Sequence, residues 1–289
     1  MRPVYDGPMA ALRIGLHVRT GRGLDRAADT IRTLGLGAVA LFTGNPSAWR
    51  SAAVDPQATA RFRAAMREMD VHVYSHAMYL INLASPNPSF YSKSKAALAE
   101  ELRRAELYGC IDVVTHVGSH MGQGPEAGIE RVVAAIDEVL RAATNEVGCL
   151  LEISAGGGAY VGSRFEDLAT ILDRLPQHST RLGVCFDTAH AYASGYELAG
   201  ARGMRATLDE LVRQIPARRI RACHCNDTSV ARGGKADRHE NIGRGNLGLD
   251  AFKTLLGYAP LEHCAFILET PGEELLEGLE NLNTLRSLV

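Results

Sequence analysis

The chain has 289 residues, 46% of them hydrophobic, enough for one large core or two small ones. Lys and Arg number 31 against 33 Asp and Glu, so the net charge of −2 argues against a protein that grips polyanions by general basicity. No run reaches the ~18 apolar residues that a membrane-spanning helix needs, and six scattered cysteines in a chain this long argue against a disulfide framework.

In chain order, residues 1–11 carry Asp6 and two prolines around no apolar core, and do not read as a signal peptide. Residues 12–18 form a short apolar run with His17 near its end, read as a strand. Residues 38–42 and 71–76 are two more, the second ending in His76. Residues 111–117 contain His116, and 149–154 contain Glu152. Residues 181–187 end in Asp187, 220–226 contain His224, and 264–269 end in Glu269. Between these eight runs lie amphipathic segments with apolar residues at three- and four-residue spacing: 23–34, 56–69, 92–107, 130–143, 165–175, 206–215, 249–256 and 273–288. Ser92 and Pro125 read as helix starts, Gly109 and Gly148 as stops. Eight alternations of strand and helix predict a parallel α/β barrel of the TIM (β/α)8 kind, with residues 1–289 as one domain. Most cysteines fall inside or beside the strands, which predicts reduced core thiols in a cytoplasmic protein.

The stretch Gly183-Val-Cys-Phe-Asp-Thr-Ala-His190 brings a carboxylate to the end of a buried strand. Asp187 there is either the cap of the next helix or a side chain pointing into a site at the barrel mouth. The rest of the chain favours the second reading. His76, His116, Glu152, Asp187, His224 and Glu269 fall at the ends of consecutive strands, where barrels build their sites. His190 follows Asp187 by three residues. Asp237 and His239 are two apart in Asp237-Arg-His-Glu-Asn-Ile-Gly-Arg-Gly245, so an extended backbone puts them on one side. Five imidazoles and four carboxylates suit zinc or manganese, and exceed what one tetrahedral ion takes.

These motifs, with His76-Ala-Met-Tyr-Leu-Ile-Asn-Leu-Ala-Ser-Pro86, His116-Val-Gly-Ser-His-Met-Gly-Gln-Gly124, Glu152-Ile-Ser-Ala-Gly156, His224-Cys-Asn-Asp227 and Leu268-Glu-Thr-Pro271, resemble endonuclease IV, the zinc-dependent apurinic/apyrimidinic endonucleases, over nearly the whole chain. The resemblance implies three Zn2+ ions, with Mn2+ an alternative at one position. His76 and His116 would hold the first, bridged by Glu152 to the second. The second would also take Asp187, His224 and Glu269. The third would take His190, Asp237 and His239. It implies cleavage of duplex DNA 5′ to an abasic site, leaving a 3′-hydroxyl, with 3′-end trimming beside it. Glu152 and Glu269 are then the catalytic carboxylates, Glu269 also orienting or deprotonating the attacking water. Three ions would turn the formal charge from −2 to −2 + 6 = +4 and concentrate it in one cleft.

Tyr79, Leu80 and Asn45 are the expected DNA contacts. The loop Phe42-Thr-Gly-Asn-Pro-Ser-Ala-Trp-Arg50 resembles a DNA-contacting loop of the family, but Ser47 stands where the family has an inserted arginine. Val117 stands where it has proline. His17 reads as a neighbour of the site, His120 as a loop-orienting residue, and His72, His178 and His263 as packing or surface residues. We expect a monomer with no membrane association. The alternatives are a metal-dependent sugar isomerase or epimerase on the same barrel, for which His190, Asp237 and His239 are superfluous, and a lesion-binding protein without activity.

Overall fold

The computed structural model describes residues 12–272 and 277–289. Eight parallel strands form a closed barrel in sequence order: β1 (Arg13–His17), β2 (Ala38–Leu41), β3 (His72–His76), β4 (Asp112–His116), β5 (Gly148–Glu152), β6 (Leu182–Asp187), β7 (Ile220–His224) and β8 (Ala265–Leu268), which pairs back onto β1. The helices are α1 (Leu24–Leu34), α2 (Pro56–Glu68), α3 (Pro88–Tyr108), α4 (Pro125–Ala142), α5 (Phe165–Asp173), α6 (Thr188–Ser194), α7 (Gly200–Gln214), α8 (Leu249–Leu256) and α9 (Glu277–Arg286). The predicted (β/α)8 alternation is the architecture found.

Helix boundaries move where a cap outweighs periodicity. α3 begins at Pro88, not near Ser92, because the Asn87 side chain accepts from the amides of Ser89 and Phe90 and Pro88 is suited to the first turn. α7 begins at Gly200, six residues before the periodic segment. The short helix α6 has no counterpart in the periodicity, since seven residues are too few to show one. Residues 1–11, on which the signal-peptide reading rests, lie outside the described residues, as do residues 273–276 of the last predicted helix.

Alternation along the strands explains the layering. Inside the barrel lie Ala38, Ala40, Tyr74, Val114, Leu150, Cys185, Ala222, Ala265 and Ile267, all buried. Strand side chains recur on one face every second residue. His76, His116, Glu152, Asp187, His224 and Glu269 each stand two residues beyond one of these and so share its inward face. Pairing keeps them level: His116 faces Glu152 and Asp187 faces His224 across the ladders. The opposite faces, with Leu41, Val73, Leu151, Val184 and Phe266, pack the helices in one large core. All six cysteines are buried and unpaired, in line with reduced core thiols.

Candidate metal centre

At the C-terminal mouth of the barrel the strand ends bring five histidines and four carboxylates together. Glu152 is fully buried at its centre. Its Oε2 lies 3.4 Å from His76 Nε2 and 3.5 Å from His116 Nδ1, and its Oε1 2.6 Å from His224 Nδ1. His224 Nδ1 also stands 3.1 Å from Glu269 Oε2. At the rim, Asp237 Oδ1 is 3.2 Å from His190 Nε2 and 3.3 Å from His239 Nε2. Asp187 carries out both roles that its sequence position suggested. Its Oδ1 caps α6 through the His190 amide at 2.6 Å, while Oδ2 looks toward His224 and His239 at 3.9 Å from each.

These side chains are aimed by the backbone. His76, His190 and His239 each point Nδ1 at a main-chain carbonyl, of Ala77 at 2.7 Å, Ile153 at 3.0 Å and Glu269 at 3.0 Å. A carbonyl only accepts, so Nδ1 carries the proton and Nε2 is left with its lone pair toward the cluster. His17 holds Glu269 from the other side, its Nδ1 3.1 Å from Oε1, and packs on Phe42 with ring centroids 4.5 Å apart.

The cluster fits metal ions on two independent grounds. Ligand atoms ~2.0–2.1 Å from one tetrahedral ion stand roughly 3.3–3.4 Å from each other, and five nitrogen–oxygen separations of 3.1–3.5 Å match that, whereas the 2.6 Å between Glu152 and His224 is that of a direct hydrogen bond. Among the described residues, eight buried side-chain atoms lack a hydrogen-bond partner. Three of them are atoms turned toward the cluster: Glu152 Oε2, His190 Nε2 and His239 Nε2. Stranded buried polar atoms each cost on the order of 1–3 kcal/mol unless something binds them.

Electrostatics agree. Burial acts to raise the Glu152 pKa, but the imidazoles of His224 and His116 outweigh it and hold the carboxyl well below the usual range. Glu269 is held low in the same way by His224 and His17. Burial pushes His116 down to about 4. Burial also opposes charge on His190, yet Asp187, Asp237 and Glu152 together push it up to about 10. Glu152 and Glu269 are thus held ionised and present negative charge where a cation would sit, while burial pushes Asp187 up.

The first two expected sets recur among the groupings of nearby ligand atoms, while the third differs: Asp187, not Asp237, groups with His190 and His239. Four groupings place their ligand atoms within 4.8 Å of one another: His76 with His116 and Glu152; Glu152 with Asp187, His224 and Glu269; Asp187 with His190 and His239; and Glu152 with Cys185 and His224. Asp187 therefore lies within reach of both the second and third sets. Cys185 and Asn226 are neighbours of the cluster that the motif reading missed. Alternation could have found them, since Cys185 precedes Asp187 by two residues and Asn226 follows His224 by two.

Two cavities flank the cluster, of about 520 and 460 Å3, sharing Tyr79, His116, His190 and Asp237. Tyr79 is an exposed aromatic ring at their junction, and Leu80 lines the second cavity. Asn45 is exposed on the β2 loop, where its Oδ1 accepts from the Ser47 amide at 2.9 Å. That loop meets the Tyr79 segment through Tyr79 N–H to Pro46 O at 2.9 Å. Arg104 and Glu101 of α3 pin its base: Glu101 accepts from Thr43 at 2.7 Å and from Ser75, and Arg104 donates to the carbonyls of Thr43 and Ala52. His120 is confined to its loop, accepting from the Gly124 amide at 3.1 Å. His178 contacts Asp137, and His263 contacts the Ile220 carbonyl.

A closed parallel barrel with a mixed imidazole and carboxylate cluster at its C-terminal mouth defines a class of TIM barrels, and a family model described as a xylose isomerase-like TIM barrel matches residues 28–287. A probable endonuclease 4 of Methanoculleus marisnigri is 40% identical, over 95% of this chain and 98% of that one. The crystal structure of endonuclease IV from Thermus thermophilus superposes with a TM-score of 0.84 at 33% identity, over 96% and 98% of the two chains. A D-tagatose 3-epimerase-like protein superposes with a TM-score of 0.73 over 96% and 97%, but at 17% identity that shows the barrel alone. The chain belongs to the endonuclease IV family.

Proposed function

We propose that this chain is a hydrolase of duplex DNA that cuts the phosphodiester bond 5′ to abasic sites and leaves a 3′-hydroxyl, with three zinc ions held by the nine residues above. The names of its relatives point to an endonuclease. The observation that carries the three-ion reading is Asp237 Oδ1 set between His190 Nε2 and His239 Nε2, a carboxylate other than Glu152 facing two imidazoles. Sugar chemistry on this barrel has no use for that set.

Bound there, the ions would supply Lewis acidity to an anionic phosphodiester and an activated water. The chain's own residues do the rest. Glu152 joins the His76–His116 pair to the Asp187–His224–Glu269 set. His17 restrains Glu269, whose carboxylate faces the larger cavity and is placed to orient the attacking water. Tyr79, with Leu80 beside it, stands at the junction of the two cavities, where an abasic gap leaves room for an aromatic ring. Asn45 and the Ser47 tip extend the same edge. We take residues 1–289 as one barrel domain acting as a monomer, and the balance of incision against 3′-end trimming as an outcome of the assay below.

The test is incision of a duplex carrying one abasic analogue, with and without chelator, beside elemental analysis. About three zincs per chain and chelator-sensitive incision are expected for the nine-ligand set. His239→Ala should lose one ion and slow incision. Sugar isomerisation without incision would overturn the reading.

A further inference from the structure

Asn226 is fully buried just beyond β7, and its side-chain amide makes two bonds in opposite directions. Nδ2 donates to Asp187 Oδ2 at 2.7 Å, and Oδ1 accepts from the Glu269 main-chain amide at 2.8 Å. The backbone of Asn226 is fixed separately. Its N–H donates to Thr188 Oγ1 at 2.9 Å, and its carbonyl accepts from the same hydroxyl at 2.7 Å. Glu269 N–H can only donate, so it dictates which end of the amide faces it, and the NH2 must face Asp187.

We propose that Asn226 is a positioning residue for the metal centre, aligning the Asp187 carboxylate and the Glu269 backbone at once. This rests on the metal reading above. Asp187 Oδ1 is already tied to the His190 amide, so the bond from Asn226 to Oδ2 fixes the carboxylate plane at both oxygens. Glu269 in turn offers its carboxylate to His224 and its carbonyl to His239. One amide thereby sets side chains of both the second and third ligand sets. Only a group with a donor and an acceptor on opposite sides does this. Aspartate keeps the acceptor and turns a negative charge on Asp187; leucine keeps neither.

The experiment compares zinc affinity, by competition with a chromophoric chelator, in the unmodified chain, Asn226→Asp and Asn226→Leu, and records thermal melting of each metal-free form. Residues that orient ligands typically change metal affinity by on the order of ten- to a hundredfold, and a loss of that size is expected in both variants. In an Asp187→Asn background, Asn226→Leu should cost less than it does alone, the remainder being its hold on the Glu269 amide. Variants that hold zinc as tightly as a zinc-binding unmodified chain overturn this inference alone. If both variants fail to fold even without metal, Asn226 serves the barrel rather than the ions and the inference is overturned. An unmodified chain that binds no zinc overturns the metal reading and this inference with it.

Discussion

Glu152 shows how much one side chain can organise. Four imidazoles, those of His76, His116, His190 and His224, lie within 3.7 Å of its two oxygens, and it is fully buried. Glu152→Gln keeps the shape and removes the charge. Metal chemistry supplies several kcal/mol at such sites, so incision should fall at least about a thousandfold. The far-UV circular dichroism of the metal-free protein should stay the same, because the barrel core lies beneath this layer. Incision by the Gln variant at the unmodified rate would falsify the bridging assignment. Ser47 is the opposite case, an exposed tip residue with little packing to lose. An arginine there adds a planar charge beside the Tyr79 segment. Ser47→Arg, placed on the inactive Gln chain, should tighten binding to abasic duplex and steepen its salt dependence by about one counterion if the charge meets a phosphate. Unchanged binding across a salt series would leave recognition to Tyr79 and Leu80.

At the scale of elements, the residues after β7 show how a loop without regular structure is held to the tolerance a ligand needs. The buried Asp227 carboxylate accepts from the main-chain amides of Thr228, Gly243, Gly245 and Leu247 at 2.8–3.1 Å. Its carbonyl accepts from the Glu240 amide at 2.7 Å. Gly245 is required by this closeness, since a Cβ there would fall 2.3 Å from Asp227 Oδ1. The Asp237–Gly245 motif is therefore wound around one carboxylate, with Asp237 and His239 presented at its start. Asp227→Asn cannot accept from all four amides. Hydrogen bonds to a charged group contribute about 1.5–3 kcal/mol, and a loss of that order is expected in denaturant unfolding. Zinc should be lost first from the His190–Asp237–His239 set, which elemental analysis would reveal as one ion missing. Loss of all ions in parallel would mean that Asp227 supports the whole mouth rather than this loop.

At the scale of the whole molecule, the cluster links stability to metal. Seven of the nine candidate ligands line one cavity wall, with Asp187 and His224 fully buried; each ion that bound only the folded chain would add about 2.7 kcal/mol at a hundredfold its Kd. Chelation should therefore lower the melting temperature, and zinc should restore it in proportion to concentration. A melting temperature indifferent to chelator would mean that no ion is held by the folded state. No described helix is long and apolar enough to cross a membrane.

The sequence alone determined the barrel and which imidazoles and carboxylates would gather at its mouth. Apolar runs of strand length alternate with amphipathic segments of helix length, and only a few architectures satisfy that order. The ligands were legible because each sits at the end of such a run or in a short motif. Their place at the ends of consecutive runs put His76, Glu152 and His224 at the mouth of the expected barrel. Only the tertiary structure decided what depends on closure. Asp187 stands between two ligand sets because α6, too short for periodicity to register, turns His190 back over it. Alternation puts Cys185 and Asn226 on the inward face, but which atoms they meet follows from β6, β7 and β8 arriving side by side from residues up to 84 apart in number, Cys185 to Glu269. The start of α3 follows the Asn87 cap, and the hold of Glu101 and Arg104 on the β2 loop follows from α3 packing beside it. Periodicity reports which face a side chain takes; which atom it meets there is settled when distant segments are brought within hydrogen-bond range.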